Sequence, residues 1–435
     1  MTLLRRSNLK KIKGTQESRQ FVKTNLRPRT IIDVEVQKVC SDIISKVRSY
    51  GDSALKSIMM DLDKSSRQEM EVTREEVDNA FDEVDKSVLA SIQKSIERSK
   101  DFHKKSLPNP WHNANKTLGE NIIPVDRVLC YVPGGSAPLV STAIMTVVPA
   151  SIAGVSEIFV TTPPAGEKIN NEIVVAAKLS GADKIYAIGG AQAIAAFTYG
   201  TESIPKVDVI CGPGNKYVTE AKRAVFGDVG IDGLYGPTET LIVADKNSNV
   251  ELCAADLIAQ AEHDVEATPI LITDSEEFAD LVIDTIHNMK KGLSRETIIQ
   301  RSIIKNGRIF VLDFISDAVD LVNLISAEHV SIITDALGDI SKEIKNAGGL
   351  FIGEDSAEVF GDYIAGPSHV MPTGGSARFN SALNVRHFLK FQPFINLSKE
   401  EVLNLVDDVS LLAEIEGLDG HKNSAVKRKE NLIGE

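Results

Sequence analysis

From residue 124 onward, the chain alternates short apolar runs with segments of helical periodicity. This alternation is typical of βαβ units, which build parallel sheets with helices on both faces. A turn-rich segment, 233–237, divides the predicted strands into two series. The first series is 127–132, 157–162, 184–188 and 207–211, and the second is 240–244, 269–273, 308–312, 330–334 and 350–352. The predicted fold class is therefore α/β. It consists of two doubly wound domains with parallel sheets, each resembling an incomplete Rossmann fold.

The length of the chain, 435 residues, exceeds what a single ordinary hydrophobic core accommodates. Helical or charged segments precede the first predicted strand and follow the last one. We therefore predict a small N-terminal arm at 1–25, an α/β domain made of 26–131 and 239–378, a second α/β domain at 132–238, and a helical C-terminal module at 379–435.

Two amphipathic helices and a loop are predicted ahead of the first strand. Apolar residues recur at helical spacing over 32–50, and Gly51 is placed to end that helix. Thr73 and Glu76 fit a capping box that opens a second helix. The segment 108–121 is rich in turn-forming residues and is predicted to be a loop.

Charge and cysteine usage exclude several classes of function. With 48 basic and 61 acidic residues the net charge is −13, which argues against nucleic acid or an anionic membrane as a partner. The four cysteines are widely spaced and include no Cys-x-x-Cys pair, so we expect neither a disulfide framework nor a thiolate metal site. A reducing cytoplasm fits this pattern. Pro149 and Gly154 interrupt the apolar stretch 139–155, so it is not a membrane span.

The N-terminal arm carries several basic residues but no apolar segment behind them. We therefore predict a solvated arm and not a secretory signal. The basic residues are Arg5, Arg6, Lys10, Lys11 and Lys13.

Three glycine-containing loops follow predicted strands of the first series, at 133–138, 189–192 and 212–215. The carboxyl ends of parallel strands are where ligands bind, and the helix that starts there favours a phosphate. None of the loops is a complete Gly-x-Gly-x-x-Gly motif, because Tyr217 stands where the third glycine would follow Gly212 and Gly214. A dinucleotide would therefore bind in a manner that this motif does not describe.

A polar cluster ends the helix that is predicted from about residue 250. Gln260 and His263 are three residues apart, so they can share one helical face. Asp362 lies in a glycine-rich loop and His421 lies near the C-terminus. Nitrogen and oxygen donors of this kind suit Zn²⁺, and our hypothesis is that the fold brings the four residues together.

The adjacent residues Glu328 and His329 are candidates for acid–base chemistry, at the start of a predicted strand. Histidine is a natural general base near neutral pH, and a glutamate can activate water. Neighbouring side chains of an extended strand face opposite ways, so both serve one site only if the backbone turns there. Four other histidines are predicted to be ordinary surface or helix residues: His103, His112, His287 and His387.

Six segments resemble, in this order, those of the histidinol dehydrogenase family, and the resemblance extends from about residue 30 to 427. The segments are 131–135, 212–215, 256–264, 328–329, 361–373 and 416–421. The resemblance implies oxidation of L-histidinol through the aldehyde to L-histidine, with reduction of two NAD⁺, as the last steps of histidine biosynthesis. It also implies one Zn²⁺ per subunit and a cytoplasmic homodimer in which the C-terminal module of one subunit completes the active site of the other.

The resemblance assigns roles to individual positions of this sequence. It implies that Glu328 activates water, that His329 is the catalytic base, and that 132–238 binds NAD while the other α/β domain carries the metal and catalytic residues. The implied zinc ligands are Gln260, His263, Asp362 and His421. The implied substrate contacts are these four, the catalytic pair, Thr238, His369 and Glu416, and the implied NAD contacts are Tyr131, Gln192 and Asn215.

Three departures from the family pattern keep other substrates open. Thr238 stands in place of the usual Ser, Ala327 in place of a common Pro, and 233–235 differs from the usual Met-Pro-Ala type of segment. A related zinc- and NAD-dependent enzyme that resembles sulfopropanediol dehydrogenase would oxidise another primary alcohol to its carboxylate. Such a substrate needs a cationic anchor for its sulfonate, whereas Glu416 and His369 favour histidinol.

Two further interpretations come from other classes of function. A zinc-dependent hydrolase could use Glu328 to activate water without a redox step, but it leaves the three glycine loops unexplained. A non-catalytic binding protein would need neither Glu328 nor His329.

Overall fold

The computed structural model of the protein describes residues 9–26, 33–134, 138–335, 338 and 342–434. Arg5, Arg6 and the centre of the first glycine loop, 135–137, lie outside the described residues. The chain divides into two compact units, the first made of 1–106 and 125–388 and the second made of 107–124 and 389–435.

The strands and helices of the described residues are numbered in chain order. The strands are β1 (Lys10–Lys13), β2 (Trp111–His112), β3 (Leu118–Pro124), β4 (Arg127–Tyr131), β5 (Glu157–Thr161), β6 (Lys184–Tyr186), β7 (Val209–Cys211), β8 (Gly230–Ile231), β9 (Glu239–Val243), β10 (Thr268–Thr273), β11 (Arg308–Val311), β12 (His329–Ile332), β13 (Gly349–Ile352) and β14 (Leu389–Ile395). The helices are α1 (Thr15–Phe21), α2 (Val34–Ile58), α3 (Arg74–Glu83), α4 (Lys86–Lys105), α5 (Val140–Ala153), α6 (Asn171–Ser180), α7 (Gly190–Tyr199), α8 (Lys216–Val225), α9 (Val250–Ala261), α10 (Glu276–Met289), α11 (Glu296–Asn306), α12 (Ala318–Ile325), α13 (Glu358–Tyr363), α14 (Lys399–Ile415) and α15 (Asp419–Ile433).

The first unit contains two parallel sheets, which confirms the α/β fold class. The six-stranded sheet has the order β1-β11-β10-β9-β12-β13, and the five-stranded sheet has the order β6-β5-β4-β7-β8. In each sheet the chain first adds strands on one side of a central strand, β9 or β4, and then on the other. Each sheet is therefore doubly wound, and its central strand lies at a topological switch point.

The four inner strands of the six-stranded sheet, β9 to β12, are buried on both faces. In β9, Leu241 and Val243 belong to one hydrophobic cluster and Ile242 belongs to the cluster on the opposite face. Successive side chains of a strand point to opposite faces, so a strand covered on both sides needs apolar residues at every position. This requirement explains the unbroken apolar runs from which the strands were predicted.

Two predictions about the N-terminal region are wrong in detail. Lys10, Lys11 and Lys13 belong to β1, which pairs with β11 at the edge of the six-stranded sheet, so this part of the arm is not a free solvated segment. Lysines at a sheet edge discourage pairing with another chain. Gly51 does not end α2 but kinks it, because its φ of 52° is outside the helical region and the helix continues to Ile58.

The predicted boundary between the two α/β domains, at residue 131, divides a sheet. β4 pairs with both β5 and β7, and α2 belongs to the same hydrophobic core as α7 and α8. The long-range pairing of β4 is not visible in local periodicity.

The predicted capping box of α3 is present. The Thr73 side chain accepts from the backbone N–H of Glu76, and the Glu76 carboxylate accepts from the backbone N–H of Thr73.

The second unit is a three-stranded antiparallel sheet with a helical hairpin. Its strand order is β14-β3-β2, and α14 and α15 follow β14 along the chain. The predicted loop at 108–121 is therefore wrong, since β2 and most of β3 lie there. The predicted helical module at 379–435 is α-helical only from α14 onward, because the residues before α14 include a 3-10 turn, Val385–Phe388, and β14. Within the part of the chain that the structure describes, no helix combines the length and apolar character that a membrane span requires.

A buried ion pair holds the third glycine loop in the first unit. Lys222 of α8 donates to Asp232 Oδ1 at 2.5 Å and to the carbonyl of Gly212 at 3.0 Å. Asp232 also accepts from the backbone N–H groups of Gly212 at 2.7 Å and Gly233 at 2.8 Å. The side chains of Lys222 and Asp232 are 2% and 0% exposed. Neither charge is solvated by water, so each is stabilised by the opposite charge of the other.

Removing one member of this pair should destabilise the protein strongly. For Asp232→Asn we expect the free energy of unfolding to fall by about 3–5 kcal/mol, because Lys222 is left buried without its counter-charge. Urea unfolding measures this change. In the matched control Glu430→Gln, which removes one member of the exposed Lys427–Glu430 pair, a change within about 0.5 kcal/mol is expected. Equal effects of the two substitutions would contradict the role of the buried pair.

His103, predicted to be an ordinary surface or helix residue, lies in α4 and is buried there. Both ring nitrogens lack a hydrogen-bond partner among the described residues. Burial lowers the pKa of His103 to about 4, from an ordinary value of 6.5. At a pH between these two pKa values the imidazole of the unfolded chain binds a proton that the folded chain does not bind. The free energy of unfolding therefore falls as the pH falls through this range.

The variant His103→Phe should reduce this acid sensitivity. We expect the loss of unfolding free energy between pH 7 and pH 5 to be smaller than in the wild type by about 2 kcal/mol. Urea unfolding at the two pH values measures it. His287→Asn, at an exposed position of α10, is the matched control and should keep the wild-type pH dependence. An unchanged pH dependence in His103→Phe would contradict the assignment.

Candidate active site

A cavity of about 170 Å³ in the first unit gathers six of the predicted site residues. It lies at the amino ends of β9 and β12, and residues that follow β7 and precede α5 complete its wall. The predicted residues that line it are Thr238, His263, Glu328, His329, Asp362 and His369. In the six-stranded sheet the catalytic candidates therefore lie at the amino edge, which is the opposite edge from the usual ligand site of a parallel sheet.

Glu328 is buried and is fixed by the start of the neighbouring strand. Its Oε2 accepts from the Thr238 hydroxyl at 2.6 Å and from the backbone N–H of Glu239 at 3.1 Å. The Thr238 hydroxyl in turn accepts from the side-chain amide of Gln260. Burial raises the pKa of Glu328. Gln260, Thr238 and Glu328, three predicted site residues from different parts of the chain, thus form one hydrogen-bonded row.

His329 is held by the backbone through one ring nitrogen, and its other ring nitrogen has no hydrogen-bond partner among the described residues. Its Nδ1 lies 3.2 Å from the carbonyl oxygen of Glu239 and must donate there, because a carbonyl only accepts. Its Nε2 therefore carries the lone pair in the neutral ring, and it lies 3.6 Å from Asp362 Oδ1. The Phe351 ring packs beside the imidazole with centroids 5.7 Å apart. Both His329 and Glu328 line the cavity, although neighbours on a strand would face opposite ways.

Carboxyl groups dominate the electrostatics of His329. Burial alone lowers the pKa of the imidazole, but the charges of Glu328, Asp362 and Glu358 outweigh burial and raise the pKa to about 10. A cation bound by Asp362 would withdraw that carboxylate from the imidazole and lower the pKa of His329. A base that works near neutral pH needs such a change.

Asp362 lies on the short helix α13, and not in a loop as the sequence predicted. The backbone carbonyl of Asp362 lies 2.7 Å from His369 Nδ1, while His369 Nε2 lies 3.2 Å from the Thr142 hydroxyl. Desolvation lowers the pKa of His369, which favours the neutral ring near pH 7. Both nitrogens of that ring are thereby oriented by protein groups.

Glu358, which the sequence analysis missed, anchors the start of α13. It is buried and accepts from the hydroxyls of Thr240 in β9 and Ser331 in β12. Burial raises the pKa of Glu358 to about 7. Glu358 and Asp362 are four residues apart, which places both on one face of a helix. This spacing was the available signal, but the helix itself was not predicted.

The proposed metal ligands are divided between the two units. Gln260 is buried near the end of α9, whereas His263 is exposed beyond it, because the helix ends at Ala261. The expectation that Gln260 and His263 share one helical face is therefore wrong. His421, in the first turn of α15, and Glu416, at the end of α14, are exposed residues of the second unit.

The donors of the first unit suit a cation that prefers nitrogen and oxygen. Gln260, His263 and Asp362 supply an amide, an imidazole and a carboxylate. His263 and Asp362 line the cavity, and Gln260 is hydrogen-bonded to Thr238 of its wall. Among the described residues, no group of three or more His, Cys, Asp or Glu side chains is already close enough to hold a metal ion.

The predicted NAD contacts lie at the carboxyl edge of the five-stranded sheet. Tyr131 ends β4, and its hydroxyl accepts from the backbone N–H of Gly190 at 3.0 Å. Gln192 is buried in the first turn of α7. Asn215 caps α8, with its Oδ1 accepting from the backbone of Tyr217 and Val218. The side-chain oxygen of Asn215 is thus already engaged, which leaves its amide N–H groups for a ligand.

Comparisons with known proteins converge on one family. The family model described as Histidinol dehydrogenase matches residues 26–429. The chain is similar to histidinol dehydrogenase of Dehalococcoides mccartyi (strain CBDB1), with 42% identity over 401 residues that cover 92% of each chain. It is similar to histidinol dehydrogenase of Thermus thermophilus, with 42% identity over 91% of this chain and 95% of that protein. The crystal structure of histidinol dehydrogenase from Elizabethkingia anophelis matches with a TM-score of 0.93 and 31% identity, over 99% of this chain and 100% of that chain.

Proposed function

The chain belongs to the histidinol dehydrogenase family, and we propose that it oxidises L-histidinol through L-histidinaldehyde to L-histidine, the last steps of histidine biosynthesis. One alcohol, two NAD⁺ and one water give one carboxylate, two NADH and three protons. The observation that carries this proposal is the cavity in which His329 Nε2, Glu328 and Asp362 converge. A base and a water activator are both present where a four-electron oxidation needs them.

The first oxidation uses His329 as the base. Its Nε2, which has no hydrogen-bond partner among the described residues, takes the proton of the alcohol, and NAD⁺, when bound, would accept the hydride from the adjacent carbon. Glu239 holds the imidazole by accepting from Nδ1, so the ring can pass between its neutral and protonated forms without rotating.

The second oxidation requires water. Glu328 lies beside His329, with Oε2 3.7 Å from Nδ1, and its burial favours uptake of a proton. We propose that His329 first releases the alcohol proton to solvent and that Glu328 deprotonates the water that adds to the aldehyde carbon. His329, neutral again, then takes the hydroxyl proton of the hydrate as the second hydride leaves. Retention of the aldehyde in this small cavity keeps it from escaping between the two steps.

We propose that Gln260, His263, Asp362 and His421 hold one Zn²⁺ per subunit and that Tyr131, Gln192 and Asn215 contact NAD. When bound, the metal would supply Lewis acidity and would orient the substrate. Thr238, His369 and Glu416 contact the substrate in this proposal, together with the zinc ligands and the catalytic pair. Glu416 offers an anion for a substrate that is cationic or neutral.

We propose a cytoplasmic homodimer in which His421 and Glu416 come from the second subunit. The second unit carries apolar side chains that are largely exposed in the single chain, including Ile395 at 73%, Leu412 at 62% and Ile415 at 74%. Exposed apolar surface of this kind favours association with another copy. The cysteines, all free and buried, support a reducing compartment.

A sulfonated diol is the second candidate substrate, and the chemistry of the cavity disfavours it. Neither lysine nor arginine is among the described residues that line the cavity. A sulfonate would lie beside the carboxyl groups of Glu328 and Asp362, which would repel it. The Thr238 hydroxyl keeps the acceptor and donor functions of the serine that it replaces.

Purified protein supplied with Zn²⁺, L-histidinol and NAD⁺ should form two NADH for each L-histidine. Spectrophotometry of NADH and chromatography of histidine measure the two products. NADH from a sulfonated diol but none from histidinol would replace the first substrate with the second. Product formation without NAD⁺ would instead indicate a hydrolase.

Substitution should separate catalysis from metal binding. We expect His329→Asn to lower kcat by roughly 10²- to 10⁴-fold with unchanged zinc content, because His329 acts on a proton. We expect His263→Asn to lose zinc, measured by atomic emission of the dialysed protein. His287→Asn is the matched control for both measurements. Full activity of His329→Asn would rule out this base.

Mixed subunits test whether the site is shared. His421→Asn and His329→Asn should each be inactive, but their mixture after subunit exchange should regain about a quarter of wild-type activity, since half of the dimers would contain one intact site. A mixture of His329→Asn with Glu328→Gln is the control and should stay inactive, because both changes affect the same unit. No recovery in the first mixture, with exchange demonstrated by tagged subunits, would place His421 in the site of its own chain.

A further inference from the structure

A second polar group lies beside the proposed NAD contacts and was not predicted from the sequence. Asp63 is the last residue of a short π-helical segment, Met59–Asp63, that follows α2. Its Oδ2 accepts from Gln192 Nε2 at 3.2 Å. Asp63 is thereby placed at the carboxyl edge of the five-stranded sheet, next to the start of α7.

Gln192 has an acceptor that the protein does not use. The residue is 1% exposed, and its Oε1 has no hydrogen-bond partner among the described residues. A side chain at Gly190, whose φ is 67°, would collide with this oxygen, so Oε1 lies against the backbone at the start of α7. A buried acceptor without a donor is unfavourable, because it has lost its hydrogen bonds to water. A bound molecule that offers a hydroxyl group would satisfy it.

Asp63 is also incompletely satisfied. Burial raises the pKa of its carboxyl group, and the bond from Gln192 acts in the opposite direction. A single bond of 3.2 Å from a neutral amide leaves most of the acceptor capacity of a carboxylate free. The nearest cation in sequence, Lys64, donates to the carbonyl of Asp61 at 2.7 Å.

Tyr131 completes the group with a donor. Its hydroxyl oxygen accepts from Gly190, so its proton is available to a ligand. Desolvation raises the pKa of Tyr131 to about 12, with a smaller contribution from the charge of Asp63, so the hydroxyl keeps its proton near pH 7. Tyr131 ends β4, the central strand at the switch point of the sheet. This is the crevice where a doubly wound sheet binds a nucleotide.

We propose that Asp63, together with the unpaired oxygen of Gln192, binds the vicinal hydroxyls of the adenosine ribose of NAD⁺ and makes the enzyme select NAD⁺ over NADP⁺. The inference rests on the proposed function, because it assigns the cofactor half of that site. A ribose diol offers two O–H donors to a carboxylate and an amide oxygen. The 2′-phosphate of NADP⁺ would place two further negative charges beside Asp63. It would also replace the 2′-hydroxyl, which is a hydrogen-bond donor, with a group that offers no donor.

The test compares Asp63→Asn with Asp61→Asn, an exposed carboxylate of the same π-helical segment. Calorimetric titration with ADP-ribose and with its 2′-phosphate gives the binding constants without turnover. For Asp63→Asn we expect ADP-ribose to bind at least about tenfold more weakly and the preference over the 2′-phosphate to fall by at least tenfold. Asp61→Asn should match the wild type.

Steady-state kinetics with histidinol provide the second measurement. Asp63→Asn should raise the KM for NAD⁺ more than it lowers kcat, because the ribose is remote from the carbon that loses hydride. A general loss of structure would instead lower kcat in proportion to the fraction of unfolded protein and leave the KM for NAD⁺ unchanged. Gln192→Leu, which removes the unpaired oxygen, should weaken ADP-ribose binding in the same direction and covers the case in which Asp63→Asn does not fold.

The outcomes distinguish this inference from the proposed function. Wild-type binding constants for both nucleotides in Asp63→Asn, or an unchanged ADP-ribose affinity in Gln192→Leu, would overturn the assignment of the ribose while histidinol oxidation stands. A wild-type protein that binds neither NAD⁺ nor ADP-ribose would overturn the proposed function and this inference with it.

Discussion

The crowding of buried carboxyl groups around His329 is the constraint on which the candidate site depends. Glu328, Glu358 and Asp362 all act on this one imidazole, and Glu239 lies beside it. Burial raises the pKa of Glu239 to about 8 and that of Glu358 to about 7, so part of the negative charge is relieved by bound protons. What remains is a small cavity with an excess of negative charge, which favours a cationic ligand. A divalent metal and a substrate with an amine are both ligands of that kind.

One edge of each sheet in the first unit contributes to the cavity, and the two edges supply different residues. The amino edge of the six-stranded sheet supplies Glu328 and His329, whereas Pro213 extends into the wall from the carboxyl edge of the five-stranded sheet. The Lys222–Asp232 pair fixes the backbone just before Pro213 through both polar groups of Gly212. The cavity therefore brings the carboxyl edge of one sheet next to the base at the amino edge of the other. Hydride transfer needs this kind of fixed arrangement.

The departures from the family pattern are compatible with this arrangement. Thr238 keeps the hydroxyl that links Gln260 to Glu328, so the hydrogen-bonded row does not require serine. Ala327 is fully buried in the core of the six-stranded sheet, and its carbonyl accepts from Gly348 at 3.1 Å. A small apolar residue fits there without a polar group that would need a partner. The structure offers no explanation for the sequence of 233–235.

Local patterns in the sequence predicted the α/β class, most strands, the capping box of α3 and the candidates His263, Glu328, His329 and Asp362, whereas Thr238 and the role of His369 came from the resemblance to a known family. These features depend on short-range periodicity, capping and residue chemistry, which a linear sequence displays directly. Tertiary structure alone decided that β1 joins a sheet, that β4 lies at the centre of the five-stranded sheet, that His103 is buried, and that Glu328 lies at an amino edge. It also placed Asp63 beside Gln192, 129 residues away. Strand pairing and burial depend on contacts between distant segments, so no local window of the sequence contains them.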